Sequence, residues 1–250
     1  MVHLRSCYES MVNTSFRITN SLKKIVYYSI FFCSFQVTFS QDTGKSSAEI
    51  RGTITVPKNN EVIEDLYHKR ALNRYAKHHG GVNKTPKPYS LSEQCVIYIE
   101  SAPQYSSSSE RQRRAELDQS DLMFRPLVLP VLVGTTVDFP NRDELYHNVF
   151  SYSSVKEFDL GRYPKNQVKS VTFDKAGTVQ VFCDIHTYMF ATILVLDNPW
   201  FTTPSEDGSY VLSNVPPGTY QISVWYLRKK VDTKTVTVKE NQALVVNFEL

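Results

Sequence analysis
Cysteine is scarce in this 250-residue chain: there are four, and Cys7 and Cys33 fall within the first forty residues. No stretch reaches the roughly twenty consecutive apolar residues that a spanning helix needs. The longest candidate, IVYYSIFFCSFQVTFS at 25–40, is broken by Ser, Gln and Thr and follows Lys23-Lys24. That pattern predicts a secretory signal peptide over residues 1–40, cut near Ser40-Gln41; an uncleaved N-terminal anchor is the other reading. An excess of one charge is missing too. Of 28 basic and 25 acidic residues, four and one lie in the leader, which leaves 24 of each sign. A balanced chain carries no electrostatic footprint for nucleic acid. Ser-His-Asp ordering, a phosphate-binding loop and paired acid motifs are also lacking, so the residues offer little support for enzyme chemistry.

Strand formers are plentiful. Fifteen Tyr and fourteen Phe, with many Val and Thr, favour β structure. IRGTITVP at 50–57 alternates and stops at a proline, and CVIYIES at 95–101 puts Cys95, Ile97 and Ile99 on one face. Between them, the apolar spacing of Val62, Ile63 and Leu66 predicts a basic helix ended by Gly80-Gly81. His68, His78 and His79 lie there among Lys and Arg, as on a solvated surface. Residues 106–121 read as a polar loop or linker. Beyond Leu122, HNVFSYS, QVKSVTFD, AGTVQVFC and ATILVLD are strands separated by Gly, Pro and Asn-Asp turns, the texture of a sandwich or barrel. After Pro199, Asp207-Gly208 and Pro216-Pro217-Gly218 mark turns, and Tyr220, Ile222 and Val224 alternate inward. So do Leu244, Val246, Phe248 and Leu250 in the last strand.

Within this frame CDIHTYM, 183–189, stands out. Cys183, His186 and Met189 bring thiolate, imidazole and thioether into seven residues. Outside the leader and the basic segment the only other histidine is His147, placed upstream after the turn at 140–143. Two His, one Cys and a distant Met are the donor set of an electron-transfer copper site. Copper(II) prefers tetragonal N and O donors and copper(I) prefers few, soft ones, so this mixture is acceptable to both states. The rival expectation for two cysteines in an exported chain is one disulfide, Cys95–Cys183. A metal-binding Cys183 excludes it.

VLVGTTVDFPNRDELYHNVF and FDKAGTVQVFCDIHTYM resemble the cupredoxins, in particular the plastocyanin and amicyanin group, over about residues 118–197. The resemblance implies a Greek-key sandwich holding one type 1 copper ion on His147, Cys183, His186 and Met189. It also implies that the Asn148 side chain clamps the two ligand loops and that Phe182 takes the aromatic position before the Cys. Two residues depart from the pattern. Thr187 stands where Pro is common, and Asp184 follows the Cys where a neutral residue is usual. A carboxylate there is expected to favour copper(II) and lower the potential. DGSYVLSNVPPGTYQISVW resembles carboxypeptidase regulatory-like modules, which are transthyretin-like sandwiches. IRGTITV and CVIYIES look like the first strands of such a module, which would make the copper domain an insertion; alternatively CVIYIES is the cupredoxin's own edge strand.

The expectation is therefore an all-β chain: a cupredoxin sandwich (102–197) and a second small sandwich (198–250), after a cleaved leader. Residues 41–101 supply N-terminal strands and the basic helix or linker. The resemblance implies an extracytoplasmic one-electron carrier, not an enzyme, that meets a redox partner protein through an exposed edge of His186. It implies no stable membrane insertion after cleavage. Two rivals stand: a binding or structural module in which copper is structural or absent, and a copper carrier. The partner and oligomeric state stay open.

Overall fold
The computed structural model describes residues 48–57, 87–102 and 113–250. The leader, the basic helix with His68, His78 and His79, and the serine-rich stretch lie outside the described residues. The protein is all-β, in several sheets around distinct apolar cores. Among the described residues no helix is long and apolar enough to cross a membrane.

The strands run in chain order as β1 (Ala48–Thr55), the one-turn helix α1 (Leu91–Gln94), β2 (Cys95–Ile99), β3 (Arg114–Glu116), β4 (Asp118–Ser120) and β5 (Met123–Arg125). Next come β6 (Val128–Leu132), β7 (Thr135–Pro140), β8 (His147–Ser153), β9 (Lys156–Tyr163), β10 (Val168–Phe173), β11 (Gly177–Phe182) and β12 (Phe190–Leu196). The last six are β13 (Phe201–Thr202), β14 (Ser209–Val215), β15 (Gly218–Tyr226), β16 (Lys229–Val238), β17 (Ala243–Val245) and β18 (Phe248–Glu249).

One core lies between sheet β6-β12-β11-β8-β9 and sheet β10-β7-β3. Period-two alternation builds it: Val137 and Phe139 of β7 point in, as do Val179 and Val181 of β11. Two strands, β3 and β4, arise within the stretch expected to be a loop. Charge hid them. Arg114 and Glu116 face outward and Arg114 pairs with Asp138, while Leu117 and Gln119 are buried. β9 was also not expected; it is an edge strand whose Phe158 and Leu160 pack inward between charged residues.

The second core lies between sheet β14-β1-β17, with β18 also on β1, and sheet β13-β2-β15-β16. Residues 48–55 thus pair with strands beyond 200, Ile50 opposite Leu212 and Leu244. β2 pairs with β15, Ile97 opposite Val224. Cys95, Ile97 and Ile99 share this core, as do Tyr220, Ile222 and Val224. The Pro-Pro-Gly turn leads from a strand of one sheet to a strand of the other. The C-terminal segment breaks into β17 and β18. At the break the Val246 carbonyl oxygen lies where a Cβ on Gly52 would meet it at 1.7 Å, so only glycine fits there.

Candidate metal centre
Strand ends and the β11–β12 loop, which carries His186, bring the donors together. His147 opens β8, Cys183 follows the last residue of β11, and Met189 precedes the first residue of β12. β8 and β12 flank β11, so chain-distant residues meet at one tip of the sandwich. The Nδ1 atoms of His147 and His186 are 2.9 Å apart, and Cys183 Sγ is 3.9 Å from each. All three side chains are buried, with donor atoms within 4.8 Å of one another. Met189 is buried in the same core. Its N–H donates to the His186 carbonyl (2.8 Å), and the Cys183 N–H donates to its carbonyl (3.3 Å), which closes the loop.

The triangle fits a transition-metal ion. A point in its plane about 2.0 Å from both nitrogens lies about 2.2 Å from sulfur, close to ordinary imidazole and thiolate bond lengths. Two imidazole lone pairs cannot face each other at 2.9 Å unaided. A proton or a metal cation must lie between them. The donors are one soft thiolate and two borderline nitrogens, a set that suits copper and zinc alike.

Electrostatics prepare the sulfur. Burial alone would raise the Cys183 pKa, but hydrogen bonding to His147 and His186 and backbone N–H groups of Asn148 and His186 bring it down to about 6. The His186 N–H lies 3.5 Å from Sγ. Cys95 is the contrast: buried in the other core, free of any disulfide, its thiol is pushed up to about 12 by burial. The Cys95–Cys183 disulfide is absent, since both cysteines are free.

A residue that sequence reasoning passed over as part of a turn supports His147. The Asp143 carboxylate accepts from His147 Nε2 at 2.8 Å, which fixes the ring with Nδ1 turned toward Cys183 and His186. Oδ1 also accepts the Asp121 N–H (2.8 Å) and Oδ2 the Leu122 N–H (2.9 Å). Asp121 and Leu122 form the β4–β5 turn with φ of 53° and 60°, a left-handed conformation that Leu disfavours. One half-buried carboxylate thus holds a strained turn and orients a ring. Desolvation would raise the Asp143 pKa, but the His147 bond and the two backbone donors hold it below the usual carboxylate range. Burial works against protonation of His147, yet the bonds to Asp143 and Cys183 raise its pKa. An acid four residues before the histidine was the available signal.

Asn148 bridges the loops: Oδ1 accepts the Asp184 N–H (3.2 Å) and Nδ2 donates to Asp159 (2.7 Å). The β8–β9 register shifts between Asn148 and Phe150, a bulge beside the site. Asp184 does not act as a lone charge, because Arg162 Nη2 lies 2.9 Å from it. The half-buried Phe182 pairs with Phe190 across the strands, its ring 5.9 Å from that of Phe150. The exposed edge expected of His186 is not seen: the residue is 1 % exposed, and Leu145 and Tyr146 are the exposed apolar side chains beside His147.

Fold and site together define an all-β protein with a buried His-Cys-His donor set. No protein-family model and no curated protein matches the chain. Solved structures similar to part of it include a purple cupredoxin from Nitrosopumilus maritimus, at 22 % identity over 32 % of this chain and 98 % of that one, TM-score 0.30. A reduced amicyanin variant shares 28 % identity over 40 % of this chain and 97 % of that one, TM-score 0.31. The copper-containing nitrite reductase NirK of Thermus scotoductus SA-01 shares 24 % over 40 % of this chain and 26 % of that one, TM-score 0.33.

Proposed function
We propose that the chain is a type 1 copper protein carrying single electrons, and that its copper sandwich is inserted between β2 and β13 of a carboxypeptidase regulatory-like module. The donor triangle carries this reading: two Nδ1 atoms and one low-pKa sulfur, buried together at spacings that suit one ion. Pairing of β1 and β2 with strands beyond 200 supports the insertion.

Copper, when bound, supplies a one-electron couple between its two oxidation states. The protein does the rest. His147, Cys183 and His186 would hold the ion, with the Met189 thioether of the same core as a fourth, weaker donor. The Cys183 pKa, brought down to about 6, favours the thiolate form that a metal ion takes. Asp143 keeps Nδ1 of His147 free, and Asn148 ties the β8 end to the ligand loop. Burial excludes water and lets the strand ends limit motion when the charge changes. The signal-like leader supports an extracytoplasmic location. A redox partner would meet a small patch, for which Leu145 and Tyr146 are exposed beside His147.

The test is copper addition to the purified chain, followed by visible absorption. Strong red-light absorption that is absent in Cys183→Ser supports the carrier. Weak absorption, unchanged in that variant, rejects it. Fast copper loss to competing proteins without a reversible redox wave would mark a copper carrier instead.

A further inference from the structure
All seven residues of β12 are buried. Ala191, Ile193 and Val195 of one face belong to the first core. Phe190, Leu194 and Leu196 of the other face belong to a third cluster. An antiparallel-rich sheet in a free-standing sandwich commonly leaves its outer face to water. Here that face is covered by the second sandwich, whose Val96, Tyr98, Trp225 and Leu227 join the same cluster. The rim is polar: Arg125 pairs with Glu93 at 2.8 Å, and Tyr89 donates to the Phe124 carbonyl at 2.8 Å. An apolar centre with a satisfied polar rim is the make-up of a permanent interface.

The position of this contact matters more than its existence. Phe182 and Phe190 bracket the ligand loop, one residue before Cys183 and one after Met189, and they are partners across β11 and β12. Phe190 belongs to the third cluster and Phe182 packs against it. The Arg228 guanidinium, from the β15–β16 turn, sits 3.9 Å from the centroid of the Phe190 ring. The base of the loop is therefore gripped from outside by the other sandwich.

We infer that the second sandwich is a positioning element of the metal centre. Trp225, Leu227 and Arg228 hold the Phe182–Phe190 pair and so set the register of Cys183 against Met189. The module needs no ligand of its own for this role. The inference rests on the copper reading only for what the loop binds; the positional claim is tested without copper.

Amide hydrogen exchange on the metal-free full chain reads it directly. The Cys183 and Met189 amides close the loop, through the Met189 and His186 carbonyls. Trp225→Ala is expected to speed their exchange about tenfold or more, while the amides of the β7–β10 ladder in the opposite sheet keep their rates. Arg228→Gln, at an exposed residue outside the apolar cores, is expected to speed the same two amides about two- to fivefold. Equal acceleration in both sheets, or no change at Cys183 and Met189 in either variant, overturns the inference. Copper loading of the wild type separates the two ideas: a colourless protein sinks the copper reading alone, whereas a blue one with unmoved loop amides sinks the buttress alone.

Discussion

Asp143→Asn changes one atom and removes one charge at the carboxylate that His147 Nε2, Asp121 N–H and Leu122 N–H all address. The amide has two ways to sit. With its oxygen where Oδ2 was, the bonds from His147 and Leu122 survive in neutral form, but its NH2 confronts the Asp121 N–H. With its oxygen where Oδ1 was, the NH2 faces Nε2, which must give up its proton. The ring then carries its hydrogen on Nδ1, the nitrogen aimed at the donor triangle. Either outcome costs about 1–3 kcal/mol of unmade or weakened hydrogen bonding. Changes of this kind behind a metal ligand typically lower affinity by about 10–100-fold, and that is the expected loss for copper(II) here. Competition against a chelator at neutral pH measures it. Nitrogen NMR of the metal-free protein checks the cause, since the wild type should carry the His147 proton on Nε2. Affinity within twofold of wild type, with the tautomer unchanged, would refute the reasoning.

Two further outcomes follow from the same electrostatics. In the metal-free protein the Cys183 thiolate absorbance should titrate with a midpoint near 6, while Cys95, pushed up to about 12, stays silent. Because the folded pKa lies below the unfolded value of about 8.5, the unfolded chain binds the extra proton between the two. The contribution of Cys183 to stability is then full above the unfolded value and is lost as pH falls to about 6. Denaturation across that window should show a gain with pH that Cys183→Ala lacks; a midpoint at 8 or higher contradicts it. Asp184→Asn should raise the potential less than Asp143→Asn does, because Arg162 already neutralises Asp184 in a solvent-exposed pair. Voltammetry of both variants decides, and a larger shift for Asp184→Asn would show that the ion pair does not screen the site.

Much of this architecture could be read from residue patterns. Alternation marked Cys95, Ile97 and Ile99 and Tyr220, Ile222 and Val224, because one face of each strand meets a core. His147, Cys183 and His186 stood out by chemistry: so few residues of those types remain outside the leader and basic segment that their meeting needed little choice. β3, β4 and β9 were illegible because their outward charges dominate short or edge strands, and only pairing partners make them strands. Asp143 looked like turn chemistry. Its role depends on two N–H groups from residues 121 and 122, which no local pattern connects to it. The complete burial of β12 was likewise invisible, since a run of apolar residues does not say which other sheet will cover its second face.

X-ray absorption at the copper edge of the loaded protein tests the central claim most directly. The account predicts one short sulfur at about 2.2 Å and two imidazole nitrogens at about 2.0 Å, the sulfur vanishing in Cys183→Ser. A shell of nitrogen and oxygen alone, with no sulfur in the wild type, would contradict it.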